Sequence, residues 1–195
     1  MKNLVIIRTC KRDDFLAFYC YQSFKKVGVR ADFIFFAEYP VPPYKWIEKT
    51  KEQIIYRNYA GNFGGILGAM PYITDLKRLN IDDYDRVVIS DSDIIVHKDP
   101  FDDDSFLFGG IRDDNNPRHF SGQFQIYDAQ LLKKIIEYPN YLNLSANLQL
   151  EGINIADDTM ISHVATQYTD KTKNFFGLGY WTHDKLYSLE NEYSG

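Results

Sequence analysis

Long apolar runs are missing from this sequence of 195 residues. Every stretch falls short of the roughly 20 residues that a membrane-spanning helix needs. At the start, Leu4 to Ile7 make only four apolar residues in a row, too few for a signal-peptide core. Both absences predict a cytoplasmic protein of its cell or host, with no transmembrane segment. Cysteine is scarce: Cys10 and Cys20 are the only two, at no metal-binding spacing. They read as reduced thiols, not a disulfide framework. A basic surplus is absent too. With 22 Lys and Arg against 27 Asp and Glu, the net charge is -5, which argues against nucleic acid as a partner. No repeat and no low-complexity segment is present. With 45% hydrophobic and 25% charged residues, a disordered chain, a coiled coil and a collagen-like repeat are excluded.

What remains fits one domain, long enough to bury roughly 70% of its unfolded surface. Leu4 to Ile7, ending at Arg8-Thr9, reads as a buried strand. Asp13 or Asp14 can cap a helix carrying Phe15, Phe18, Tyr19, Gln22 and Val27, and Gly28 stops it. Asp32 to Ala37 is a second strand. The chain thus opens β-α-β, the pattern of a parallel sheet covered by helices. Tyr39 to Pro43 is a rigid loop, Trp46 to Tyr56 a helix and a short strand, and Gly61 to Gly65 a turn. Ile66 to Leu79 has a helical stripe in which Pro71 predicts a kink or a later start. Further strands are expected at Arg86 to Ser90, Ile94 to Val96, Phe106 to Ile111 and Phe124 to Tyr127. Helices are expected from Ala129 to Tyr138 and from Asp157 to Gln167. Asp113 to Pro117 reads as a polar loop and Asp102 to Asp104 as a solvated one. Glu192 to Gly195 bring no terminal element, which leaves open a domain cut from a longer protein.

Asp91-Ser92-Asp93 closes the strand Val87-Val88-Ile89-Ser90. Ligands of parallel sheets bind at the carboxyl ends of strands. Two carboxylates there are no packing device, because burying unpaired charge is costly. One acid at this spacing can ligate a divalent cation, and the other can ligate it through water or hold a substrate hydroxyl. Hard oxygen ligands with open positions suit Mg²⁺ or Mn²⁺ on a diphosphate. Thr9 and Arg12 follow the first strand, where a nucleotide base and ribose should sit. Arg57, Asn62 and Gly65 are further candidates for donor contacts. His97, His119 and His163 read as structural or exposed.

The stretch from Tyr84 to Pro100 (YDRVVISDSDIIVHKDP) resembles the D-x-D region of GT-A glycosyltransferases, with the glycogenin-like and galactosyltransferase-like branches nearest. The resemblance implies a GT-A-like single α/β domain over residues 1–195, its mostly parallel central sheet flanked by helices. About 1–96 would be a Rossmann-like half binding the nucleotide-sugar, and about 97–195 the acceptor half. It also implies a UDP-sugar donor, a carbohydrate or glycan acceptor, and Mn²⁺ or Mg²⁺ held by Asp91 and Asp93. Ser92 would then lie by the nucleotide. His119 to Phe124 (HFSGQF) is similar to the family's stretch beside the donor sugar, which points to Ser121, Gly122 and Gln123. Ile155 to Thr159 resembles two family patterns: an acidic pair whose second acid is the base of inverting enzymes, and an acidic stretch of retaining ones. Asp157 and Asp158 are the catalytic candidates either way. Tyr180 to Lys185 (YWTHDK) is similar to the segment whose His completes the metal shell, so His183 is the expected third ligand and Lys185 a phosphate contact.

Other readings stay open. A haloacid-dehalogenase-type phosphatase also sets D-x-D after a hydrophobic strand, normally near the N-terminus. A sugar nucleotidyltransferase would want a glycine-rich basic loop after the first strand, where Cys10-Lys11-Arg12 has charge but no glycine. A Ca²⁺-dependent carbohydrate-binding module is disfavoured by the β-α-β opening.

Overall fold

Leu4, Val5, Ile6 and Ile7 are completely buried, as a strand covered on both faces requires. They belong to β1 (Asn3–Thr9), the centre of the fold in this computed structural model. The structure describes all residues except 11–12, 39–44, 58–65, 114–115, 154–155, 176–178, 183–184 and 188–195. Backbone alone is described for 38, 66–69, 113, 116–117, 179–182 and 185–187.

After β1 the chain forms α1 (Asp14–Lys26), β2 (Asp32–Glu38), α2 (Lys45–Thr50), β3 (Gln53–Arg57) and α3 (Ile66–Leu76). Lys25 and Lys26 in the last turn of α1 complement the helix dipole. Gly28, at φ +81°, takes the left-handed conformation that ends the helix. Next come β4 (Arg86–Asp91), β5 (Ile94–Ile95), β6 (Phe108–Asp113) and β7 (Asn116–Asp128). Then follow α4 (Ala129–Ile136), α5 (Tyr141–Leu150), α6 (Asp157–Tyr168), β8 (Thr172–Asn174), β9 (Gly179–Thr182) and β10 (Lys185–Tyr187). Among the described residues no helix is long and apolar enough to cross a membrane.

Among the described residues, seven strands form one sheet in the order β3-β2-β1-β4-β7-β6-β8. Strands β3, β2, β1 and β4 are mutually parallel, β7 runs against both β4 and β6, and β8 lies parallel to β6. The expected α/β architecture is therefore present, with a mostly parallel central sheet flanked by helices. Strands β10, β9 and β5 make a second, small sheet. Alternate residues of β1 serve opposite faces, as a strand's period of two dictates. Leu4 and Ile6 join Val87, Ile89, Tyr72, Leu132 and Met160 in a core beneath α3, α4 and α6. Val5 and Ile7 join Val88, Cys20, Phe24 and Phe35 in the core beneath α1.

Several elements differ from the sequence expectation. Strand β7 begins at Asn116, well before Phe124, because a hairpin pairing with β6 overrides its polar sequence. Helix α5 was not expected, since Asn143, Ser145 and Asn147 break the apolar stripe. Helix α3 runs through Pro71. Strand β5 does not resume β4 but pairs with β9 in the small sheet.

Candidate active site

At β1 the strand order reverses: the chain moves from β1 outwards to β2 and β3, then returns to lay β4 on the other flank. Such a switch point opens a crevice at the carboxyl ends of the two diverging strands. There Arg8 of β1 is the register partner of Asp91 of β4. Paired residues of parallel strands share a face, here the face of Leu4, Ile6, Val87 and Ile89. An Arg8 terminal nitrogen lies 2.7 Å from Asp91 Oδ1 and donates to Gly122 O at 2.5 Å. The other terminal nitrogen is 3.8 Å from Asp157 Oδ2. The guanidinium stands 5.1 Å from the centre of the Tyr72 ring on α3, within cation-π reach.

These contacts set the charges. Burial disfavours the Arg8 cation, but Asp91, Tyr72 and Asp157 outweigh it and hold its pKa above the ordinary value. Burial pushes the Asp91 carboxyl up to about 6, against Arg8 and with help from the charge of Asp93. A third of that side chain, 34%, is exposed, so water tempers the rise. Asp93 is half-buried and Ser92 buried in the turn that follows β4. Beneath the turn, Cys20 Sγ sits 3.6 Å from Asp91 O. Burial drives that thiol up to about 12, which leaves it inert.

The other wall comes from a wide bulge in β7. Gly110 pairs with Gln125 but Arg112 pairs with Phe120. Two steps along β6 thus match five along β7, so three residues, Ser121, Gly122 and Gln123, are extruded. A buried polar network holds the base of the bulge. Phe120 N–H donates to Ser162 Oγ at 3.2 Å, and Phe120 O accepts from Ser162 Oγ at 3.0 Å and Gln125 Nε2 at 2.8 Å. At its tip, the Gly122 N–H donates to Asp158 Oδ2 at 2.8 Å. The Thr159 N–H reaches Asp158 Oδ1 at 2.7 Å, and His119 Nε2 lies 3.3 Å from Oδ2. Burial alone would raise the Asp158 carboxyl, yet His119 and the two amides together pull it below its ordinary value. Gln123 N–H donates to Ser121 Oγ at 3.3 Å.

The structure thus brings together Asp91, Asp157, Asp158 and Gly122, with Arg8 at the junction. Thr9 is buried at the end of β1, its hydroxyl donating to Cys10 O at 3.4 Å. Arg57 lies at the end of β3 and donates from Nε to Asp75 Oδ2 at 2.9 Å. Arg12, Asn62, Gly65 and His183 lie outside the described residues, and only the backbone of Lys185 is described. Asp91 and Asp93 offer hard carboxylate oxygens, a donor type that suits Mg²⁺ or Mn²⁺. Among the described residues no group of three or more His, Cys, Asp or Glu is placed to hold a metal. A cavity of about 310 Å³ opens at the opposite end of β4 between Arg86, Asp104, Phe106 and Asp128. It touches none of the candidate residues.

Sequence reasoning passed over Arg8, Tyr72 and His119. Arg8 carried a signal: it follows Leu4 and Ile6 at a spacing of two, so it falls on a buried face. Of the other histidines, His163 is buried and His97 exposed.

No protein-family model matches the sequence and no curated protein matches it. Among solved structures the chain is similar to the glycosyltransferase GlyE of Streptococcus pneumoniae TIGR4, with a TM-score of 0.58 and 14% sequence identity. The match covers 90% of this chain and 45% of that one, so the chain spans about half the length of its neighbour. The likeness is one of fold: the α/β architecture built around β1 and β4 is an architecture that a glycosyltransferase has.

Proposed function

We propose that the protein is a metal-dependent glycosyltransferase. It would move a sugar from a nucleotide-diphosphate sugar, a UDP-sugar, to a hydroxyl of a carbohydrate or glycan acceptor. The observation that carries this reading is the position of Asp91 and Asp93. Asp91 ends the central strand β4 and Asp93 lies in the turn after it, where the strand order reverses beside β1, the place where α/β sheets take nucleotides.

In this reading Asp91 and Asp93 would hold the cation, with His183 as the third protein ligand. Mn²⁺ or Mg²⁺, when bound, supplies a Lewis acid for the departing diphosphate. Thr9 and Arg12 would flank the base and ribose, with Ser92 near the nucleotide and Lys185 near the phosphates. The extruded Ser121, Gly122 and Gln123 would line the donor sugar. Asp157 and Asp158 face the same space from the first turn of α6. Two amide donors and the nearby His119 favour the ionised form of Asp158, and a carboxylate with lowered proton affinity is a weak general base. It suits stabilising positive charge that develops on the sugar better than taking the acceptor's proton.

Calorimetric titration of UDP, GDP and ADP, each with and without Mn²⁺, tests the proposal. UDP binding that needs Mn²⁺ is the expected result. If no nucleotide binds under any metal condition, the reading fails, and hydrolysis of a generic phosphate ester would then favour the phosphatase.

A further inference from the structure

Helix α5 has an outer face that matches itself. Tyr141, Leu144, Ser145 and Leu148 are buried, which leaves Leu142, Asn143, Ala146, Asn147, Gln149 and Leu150 exposed. Leu142 is 73% exposed and Leu150 88%, although leucine is usually a core residue. No residue of α5 is charged, in a chain of net charge -5. Two copies of such a chain repel each other, so they approach most easily on a neutral face. Leu142, Ala146 and Leu150 are spaced four apart and form one ridge along the helix. The face reads the same in both directions about Ala146: Leu142 mirrors Leu150, and Asn143 mirrors Gln149.

We propose that α5 is a self-association surface, on which a second copy of this chain lays its own α5 antiparallel. A two-fold contact pairs one residue with another and repeats the pair in reverse. Here it sets Leu142 of each copy against Leu150 of the other. Ala146 meets its own counterpart on the axis, where a small side chain lets the helices close. Asn143 meets Gln149, and an amide both donates and accepts, so the two can bond in either orientation. A charged partner would find no counter-charge on this helix. One helix from each copy makes a small contact for a specific interface, so the dimer is weak. The inference stands apart from the activity proposed above and survives its failure.

Sedimentation equilibrium over a concentration series into the millimolar range tests the proposal. A monomer–dimer equilibrium is expected for the unaltered protein, and a protein monomeric throughout overturns the inference. Leu142→Glu and Leu150→Lys are the informative variants. Each changes an exposed side chain, and each puts at a helix end the charge that complements the dipole there, so both should keep the thermal unfolding midpoint. Either variant alone should associate about tenfold more weakly or worse, as the loss of an anchoring contact implies. Mixed in equal amounts, the two should recover the association. The introduced acid of one then faces the introduced base of the other, while the second leucine pair is intact. Full-strength association by either variant alone, or no recovery on mixing, overturns the proposal. Ala146→Gln is the control that involves no charge and no leucine. Its bulk on the axis should also weaken the dimer, and undiminished association would place the contact elsewhere and overturn the proposal.

Discussion

The N–H of Gly122 and Oδ2 of Asp158 meet in a hydrogen bond of 2.8 Å, which joins the β7 bulge to the first turn of α6. Glycine is required at that join. A Cβ on residue 122 would lie 2.9 Å from Asp158 Cβ and 3.3 Å from an Arg8 guanidinium nitrogen. Asp158 Cβ is fixed to the helix, so either the bulge or α6 must shift. Gly122→Ala is expected to cost about 1–3 kcal/mol, the usual penalty of overpacking, and to weaken Mn²⁺-dependent UDP binding. Urea unfolding and calorimetry measure the two effects, and a variant equal to the unaltered protein in both would contradict the crowding.

Asp93→Ala should abolish metal-dependent donor binding while the protein still folds, because Asp93 is half-buried in a turn and not in either core. Mn²⁺ and UDP titrations check the first part and thermal unfolding the second. Unchanged affinities in this variant would remove Asp93 from the metal site.

Acid should act through Asp158. Its folded-state pKa lies below the ordinary 3.8, so the fold prefers the ionised form. The stabilisation this brings is fully present above the unfolded value and is lost as pH falls through the folded value. Asp158→Asn removes the titration. Its stability should therefore fall less steeply than that of the unaltered protein as pH drops below about 4. Denaturant midpoints measured from pH 6 downwards decide this, and parallel curves would mean that Asp158 gains nothing from its partners.

Arg57, a candidate for donor contacts, donates to Asp75, whose side chain is only 9% exposed. Arg57→Ala is expected to leave that carboxylate with Arg78 alone, 3.5 Å from Oδ1, and to lower stability by less than the roughly 3–5 kcal/mol of a fully broken buried pair. UDP affinity in Mn²⁺ should stay at the level of the unaltered protein. A fall in UDP affinity with an unchanged unfolding midpoint would instead put Arg57 at the nucleotide.

The parts of the fold legible in the sequence were those written in continuous apolar runs. Leu4 to Ile7 and Val87 to Ile89 announced two central parallel strands, and Gly28 marked the end of α1. Asp91 and Asp93 stood out because charge directly after such a run needs a reason. The start of β7 was illegible because Asn116 and Pro117 read as part of a polar loop, and only pairing with β6 makes them a strand. The extrusion of Ser121 to Gln123 depends on register, which no local pattern encodes. His119 looked incidental for the same reason: its relation to Asp158 arises from a bulge and a helix end distant in sequence. Arg8 was overlooked beside Arg12, although its period of two with Leu4 and Ile6 aimed it inward.

Arg8 and Gly122 are 114 positions apart in the chain, and the bond between them spans the site. No contiguous segment therefore contains the candidate site in miniature. Closing contacts over such distances is slow, since chain entropy is lost before the contact rewards it. Helix α1 and the β1–β2 pair can form from nearby residues, but the crevice comes into being only when β7 docks on β4 and α6 settles over the bulge. The candidate site is thus a property of long-range contacts, and a chain lacking them would carry every site residue and no site.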